Sequence, residues 1–598
     1  MPTITINGTP CDFTPGQTVL QVASAHDIDI PHYCFHEGLS IVASCRICLA
    51  EVWAPNPRND NKIEPIPKLL PTCQIQAQDG QFVYTDSPRA AANQKAVMEY
   101  LLVNHPLDCP VCDQAGECKL QDYSYDHGRG VSRFQEQKIK QSKKDVGPNV
   151  LLYSDRCIMC TRCVRFTREV TGTNELIVNG RGSTEQIDTF PGKALDNALA
   201  SNVIDLCPVG ALLDKDFLFK KRVWELTSSP SIDGVTSSGD NLWIDHADGE
   251  IYRLRPRTNL DVNLWWITDE VRYGWKHIHA DERLTEPRRR RNGALVPTEY
   301  PRAVNEAVAG IERATQAGKK LAALVAPNLP CEEAYAISQT ARRFDENAIL
   351  GVGPIPIVGE DQSFPPDHAD EEPIHQSPRS FKTTGDKRKF ILRAEKCPNS
   401  RGVRRVLENV EGAKTGETSA GNTGAGGTGV SPVNDFAQFI DKLKDPAVAA
   451  VILTGNYPSD WSTPQLCAAL SRPDLFVILL DTLASPLVDL ADVVIPAATW
   501  AEKAGAFENA EGRLQAFDRA IQPIAGATPE GQIALDLQSE IENRRKASAA
   551  DRTRTIYDAA QIRQEMANAS AALARFTTDV HEPPAPSLRI ADMQVVEV

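Results

Sequence analysis

The chain has 598 residues, 24% of them charged, and at about 150 residues per domain it should hold several domains. Its formal charge of -15 and pI near 5.3 argue against a nucleic-acid partner, which needs a basic face. No apolar run approaches the ~18 residues of a membrane span, and the start has neither the basic nor the apolar region of a secretory signal.

Abundant cysteine without a secretion signal favours metal binding over disulfides and predicts the reducing cytoplasm. Eleven of the 15 cysteines lie between Cys34 and Cys207. Ahead of them, Thr3–Phe13 reads as a hairpin turned at Asn7-Gly8, a strong type I′ signal. Gly16–Ala25 reads as a helix packed across it, a β-grasp-like prelude. Cys11 in the hairpin is expected to be a small buried residue. Cys34, Cys45, Cys48 and Cys73 follow, one distant thiol, a close pair and a late fourth. This order suits a [2Fe–2S] centre, although one CxxC with two further cysteines also satisfies structural zinc.

Residues 89–103 carry helical periodicity and lead into His105, Cys109, Cys112 and Cys118. Pro106 and Pro110 restrict that backbone, and Gly116 permits a tight turn. Three thiolates and an imidazole fit either zinc or a [4Fe–4S] cluster, and the neighbouring cluster-like sets favour the cluster. Cys157, Cys160 and Cys163 form the CxxCxxC half of a ferredoxin motif. Cys207-Pro208 supplies the Cys-Pro end, returning to complete the same [4Fe–4S] site. Arg156, Arg162 and Arg165 either offset cluster charge or are ordinary surface arginines.

On these motifs residues 1–275 resemble the family of the large iron–sulfur subunit of respiratory complex I, an NADH-quinone oxidoreductase. The resemblance implies α+β iron–sulfur domains: a β-grasp [2Fe–2S] ferredoxin (1–78), a His(Cys)3-ligated [4Fe–4S] domain (79–119) and a ferredoxin-like [4Fe–4S] domain (139–218). It implies one [2Fe–2S] and two [4Fe–4S] clusters on the twelve residues named above. It also implies transfer of electrons from the FMN of an NADH-binding partner towards quinone-side iron–sulfur subunits. The expected place is peripheral, on the cytoplasmic side of the inner membrane, without a span of its own. Residues 220–276 resemble a cysteine-free remnant of a further [4Fe–4S] domain, with the segment after Trp224 lacking the cysteines of some bacterial members.

Residues 277–545 resemble an α/β molybdopterin oxidoreductase domain. Apolar strands begin near Ala449, Leu475 and Ala491, with a helix over 301–317, and indicate a parallel arrangement. Glu502–Arg513 resembles a motif near the pterin site, yet the family uses this domain as a scaffold and no molybdopterin is expected. Cys331, Cys397 and Cys467 read as core residues. Arg288–Arg291, between Pro287 and Asn292-Gly293, reads as a solvated loop or a contact for an acidic partner. A Pro-, acid- and Gly-rich flexible insertion is expected over 355–435. Its Gly424–Gly429 matches GxGxxG but follows no strand, so no dinucleotide site is expected. The tail 546–598 is expected to pack on neighbours or fray. An NAD-linked formate dehydrogenase or related hydrogenase subunit is the competing enzyme reading, and the cysteine-free stretch 208–330 counts against it.

Overall fold

In the chain's computed structural model, residues 1–56, 58–60, 62–366, 389–412, 433–544 and 554–588 are described. The first turn forms as its residues require: Asn7 and Gly8 take φ of 48° and 86°, joining Thr3–Ile6 to Thr9–Asp12 antiparallel. A parallel neighbour, Phe82–Tyr84, lies beside Thr3–Ile6, followed by Leu49–Asn56 and Lys62–Pro65. Across this sheet packs the helix Val19–Ala25, entered through a Thr18/Gln21 capping box of the kind that contributes about 1 kcal/mol. Its Val19, Leu20, Val22 and Ala23 meet Ile4, Ile6, Val52 and Val83 in one core, which also holds Cys11. This is a β-grasp.

The helix Pro88–Leu102 follows, capped by Ser87 and started by Pro88 in the first-turn position where its missing N–H costs nothing. Beyond it the strand Val150–Tyr153 is flanked by Lys143–Asp145 and Leu212–Asp214, with the helix Arg162–Glu169 packed among them. Residues of Pro88–Leu102, Val150–Tyr153, Arg162–Glu169 and Leu212–Asp214 share a core with Tyr33, Trp266 and Phe390. An antiparallel sheet comes next, Thr227–Ile232, Asn241–Ala247 and Glu250–Pro256. Its free edge is covered by Ser587–Leu588 from the tail. The tail also packs inward through Arg563, 2.9 Å from Glu332.

The largest sheet runs Ala294–Pro297, Arg288–Arg291, Val493–Pro496, Phe476–Asp481, Val448–Thr454, Lys320–Val325, Ile349–Val352. Its last five strands are parallel. Every residue of Val448–Thr454 is buried, the near-continuous apolar run that a strand covered on both faces needs. The helices Tyr300–Ala314, Cys331–Phe344 and Glu530–Arg544 cover it.

Two expectations are corrected. Arg288–Arg291 is a sheet strand, hydrogen-bonded antiparallel on both sides. Asn292 and Gly293, at φ 52° and 81°, make the same I′ hairpin turn as Asn7-Gly8. Its arginines are engaged locally: Arg289 with Glu306 at 3.4 Å and Arg290 with Asp492 at 3.5 Å. The insertion expected over 355–435 is also narrower, because Ser400–Gly412 is a helix with Val403, Val406 and Leu407 fully buried in the large core. Those positions recur with helical period. Gly421–Gly429 lies outside the described residues.

Between helix and sheet, Lys503 Nζ stands 2.7 Å from the carboxylates of both Glu333 and Glu530, all three buried. Loss of the ammonium would leave two buried carboxylates uncompensated, costing on the order of 3–5 kcal/mol. Burial, together with the charge of Glu530 and against the pull of Lys503, lifts the Glu333 carboxyl from 4.5 to about 8. A group raised in the folded state binds more protons there than in the unfolded chain. The stability it contributes is therefore present below 4.5 and lost as pH rises through about 8. Glu333→Gln is expected to flatten the fall of stability across that window, measured by denaturant unfolding; a slope as steep as the parent's would refute it.

Candidate functional site

The first site forms where two strands pair. Cys48 precedes Leu49–Asn56 and Cys73 follows Leu70–Pro71. Thr72 bonds the Cys48 carbonyl through its N–H and its Oγ1, at 3.3 and 3.0 Å. That brings the Sγ atoms of Cys48 and Cys73 to 3.6 Å. Ala43 and Arg46, at φ 50° and 59°, fold the intervening loop over the site, and Asn93 Nδ2 holds the Arg46 carbonyl at 2.9 Å. Cys34 completes it: its sulfur hydrogen-bonds with the Cys45 and Cys73 thiols and accepts the N–H groups of Cys45 and Ser44. Those thiol contacts hold Cys34 well below the usual thiol range and push Cys45 and Cys73 up. The Cys73 contact draws Cys48 down to about 7. Four thiols sharing protons, with backbone N–H groups aimed at sulfur, are a donor set that fits a [2Fe–2S] centre.

The second site lies on the loop between Pro88–Leu102 and Lys119–Asp126. Cys112 and Cys118 are buried, whereas Cys109 is exposed. Burial raises Cys112 and pushes Cys118 to about 12. His105 Nδ1 is buried without a hydrogen-bond partner. Burial, then the charges of Arg156 and Lys138, lowers His105 to about 4, so the imidazole is neutral with a lone pair to give. An orphaned imidazole nitrogen on the loop that carries the three thiols suits a metal ligand set.

Cys157, Cys160, Cys163 and Cys207 line one small cavity with Ile187 and Arg162. Met159 and Thr161 take positive φ of 52° and 61°, which turns the CxxCxxC loop around it. The Cys207 sulfur accepts N–H groups from Val209, Ala211 and Leu212. Burial pushes Cys160 to about 11 and Cys163 well above the thiol range, so without a metal these thiols keep their protons. A cationic iron core removes both the desolvation cost and the mutual repulsion of four thiolates. Among the described residues no three His, Cys, Asp or Glu side chains gather closely enough for one metal ion; a cluster instead spreads its thiolates around a multi-iron core.

The sites abut one another. Arg165 donates to the carbonyls of Cys34 and Cys160, one from the first site and one from the third. Lys119, next to Cys118, donates its N–H to Pro208 O at 3.1 Å, next to Cys207. A Cβ on Gly210 would overlap Cys112 Sγ. Tyr33 sits in the field of Cys45 and Cys118, its hydroxyl 3.1 Å from Met98 Sδ. Arg156, Arg162 and Arg165 are all buried, which excludes their being ordinary surface arginines. Arg156 pairs with Asp108 at 3.0 Å and stacks on Tyr153 at 4.0 Å. Sequence reasoning missed the roles of Tyr33 and Gly210; only their adjacency to Cys34 and Cys207 could have flagged them.

The Glu502–Arg513 motif does not fit a bound pterin. Glu502 is held by Arg283 at 2.9 Å and Lys503 by its two glutamates. Glu508 is surrounded by Arg401, Arg405 and Arg575. Cys331 lies 3.4 Å from Asn399 Oδ1, while Cys397 lies 3.6 Å from Asn328 Oδ1.

Family profiles match along the chain: a 2Fe-2S iron-sulfur cluster binding domain over 1–88, the NADH-ubiquinone oxidoreductase-G iron-sulfur binding region over 94–133, and the ferredoxin-like domain of NADH-quinone oxidoreductase subunit 3 over 147–213. An NDSU1/NuoG-like 4Fe-4S domain matches 226–276, which in this chain holds no cysteine. Molybdopterin oxidoreductase matches 394–540. The mitochondrial NADH-ubiquinone oxidoreductase 78 kDa subunit of Neurospora crassa is 30% identical, over 99% of this chain and 86% of that protein. NADH dehydrogenase [ubiquinone] iron-sulfur protein 1 of Solanum tuberosum is 44% identical over 47% of this chain and 37% of its own length. The NADH-ubiquinone oxidoreductase 75 kDa subunit of Reclinomonas americana is 41% identical over 51% and 42%. Both of these last matches span less than half of the relative.

Because the Cys112 sulfur occupies the space a side chain at 210 would need, Gly210→Ala is expected to lose iron from the second site. The iron content of anaerobically purified variant should fall by about one [4Fe–4S] complement. Full iron with unchanged spectra would contradict this packing.

Proposed function

This chain belongs to the family of the large iron–sulfur subunit of NADH-quinone oxidoreductase, and on that ground we propose that it relays single electrons within that complex. The donor is an FMN-bearing, NADH-binding partner and the destination is quinone-side iron–sulfur subunits. The observation that carries the reading is the abutment of the three ligand sets through Arg165 and the Lys119–Pro208 contact. Residues at fixed contact keep tunnelling distances short, and their burial excludes water and sets the local dielectric.

Cys34, Cys45, Cys48 and Cys73 would hold a [2Fe–2S] cluster. His105, Cys109, Cys112 and Cys118 would hold one [4Fe–4S] cluster, and Cys157, Cys160, Cys163 and Cys207 the other. When bound, the clusters supply one-electron redox chemistry. Contacts join the third site to each of the other two, through Arg165 and the Lys119–Pro208 bond, and Tyr33 lies between the first and second. Buried Arg156 beside His105 and Cys112, and buried Arg162 and Arg165 beside the other two, supply positive charge where thiolate charge accumulates.

The second site opens to the surface. Cys109 is exposed, and Leu107, Val111 and Phe219 are 87%, 57% and 66% exposed. Phe219 is brought there by its N–H bond to Asp113 at 2.7 Å. Apolar side chains in water beside a redox ligand suit a protein partner that takes the electron onward. Among the described residues no helix is long and apolar enough to cross a membrane. A peripheral position on the cytoplasmic face of the inner membrane, held by partner subunits, is the corresponding location.

Anaerobic protein is expected to contain about ten iron atoms and matching acid-labile sulfide per chain. Cys157→Ser should abolish only the third site's EPR signal and interrupt electron passage between the other two. Near-absence of iron and sulfide would overturn the reading. Separately, Leu107→Glu with Val111→Glu is expected to leave the cluster content intact and cut co-purification of quinone-side subunits severalfold; unchanged co-purification would exclude this face as the exit.

A further inference from the structure

Arg162 and Arg165 are buried cations without a carboxylate partner among the described residues. Their terminal nitrogens reach only carbonyl oxygens: Phe35 and Leu206 for Arg162, and Ser40, Cys34 and Cys160 for Arg165. The Nε–H of each is buried and bonds to nothing. A guanidinium taken out of water without an anion costs several kcal/mol, and an orphaned donor adds to that. An anion must therefore meet these groups in the working protein.

Arg162 lines the cavity enclosed by Cys157, Cys160, Cys163 and Cys207. At the same time its NH2 grips the carbonyl of Phe35, the residue after Cys34. The guanidinium thus lies in the field of Cys160 and Cys207 from the third site and of Cys34 from the first. The second site has a separate guanidinium, Arg156, beside His105 and Cys112.

We propose that Arg162 is a counter-charge shared by the first and third clusters, donating through its free Nε–H to sulfur of the third and raising the reduction potentials of both. The inference rests on the iron–sulfur reading of those sites. Adding an electron makes a thiolate-ligated cluster more negative, so a fixed positive charge in a dry setting favours its reduced form. One guanidinium placed between two clusters does this for both at once. It thereby favours the reduced form of both clusters along the electron's path.

The test uses anaerobically purified full-length protein in its complex, assayed first for iron and sulfide. In EPR-monitored redox titrations Arg162→Met is expected to lower the reduced-to-oxidised ratio of the third cluster about tenfold at the parent's midpoint, equivalent to 59 mV for one electron. The first cluster should move the same way severalfold, and the His105-ligated cluster should stay within twofold. Arg162→Lys, which keeps the charge and loses Nε, should fall between. In Arg165→Lys protein grown with arginine labelled with 15N at Nε alone, pulsed EPR of the reduced third cluster should show a nitrogen coupling; the label leaves backbone nitrogens silent, so this decides the matter if Arg162→Met fails to assemble. Absence of that coupling, a first or third cluster unmoved in a fully loaded variant, or equal shifts in all three clusters would overturn the proposal. Parent protein lacking iron and sulfide would instead overturn the cluster reading itself.

Discussion

Thiolates of like charge cannot be crowded under one protein surface unless positive charge is buried with them. That constraint governs the first 218 residues. Burial, then the charge of neighbouring cysteines, drives the thiols of the third site upward, to about 11 for Cys160, and would leave them protonated and inert. Arg156, Arg162 and Arg165 enter the same interior, and two of them find carbonyls but no carboxylate. Buried cations without carboxylates and buried thiols are complementary, and an iron–sulfur cluster bound by those thiols would balance both.

The same arginines are structural ties. Arg165 joins the Cys34 segment to the CxxCxxC loop, and Arg162 joins Phe35 to Leu206. With the Lys119–Pro208 bond they make three ligand loops into one packed body, so electrostatic tuning and fixed spacing come from the same contacts. In the C-terminal half, buried charge is balanced differently. Lys503, Arg283 and the arginines around Glu508 meet carboxylates directly. An α/β sheet with its former site filled by internal ion pairs is a scaffold, and it lends the N-terminal part a strand edge and a tail.

Legibility varied with the range of the interaction. Asn7-Gly8 was readable because alternating residues flank it. Asn292-Gly293 is the same turn but was masked by four arginines, whose charge suggested solvent although a strand presents successive side chains to opposite faces. The helix Ser400–Gly412 was hidden by the composition of its neighbourhood, while its Val403, Val406 and Leu407 carried the period all along.

The sequence by itself singled out the candidate ligands, their spacing in sets of four and the iron–sulfur chemistry that spacing suits, because cysteine spacing within a loop is local and sulfur has few other reasons to recur that way. It also determined the parallel sheet, since strands buried on both faces must be apolar throughout. Which site touches which, that Arg162 lines the third site while bonding the Phe35 carbonyl beside the first, that Gly210 leaves room for Cys112, and that Cys109 meets solvent were decided only by tertiary structure. Those facts depend on contacts between residues up to about a hundred and thirty positions apart, and no spacing along the chain encodes them.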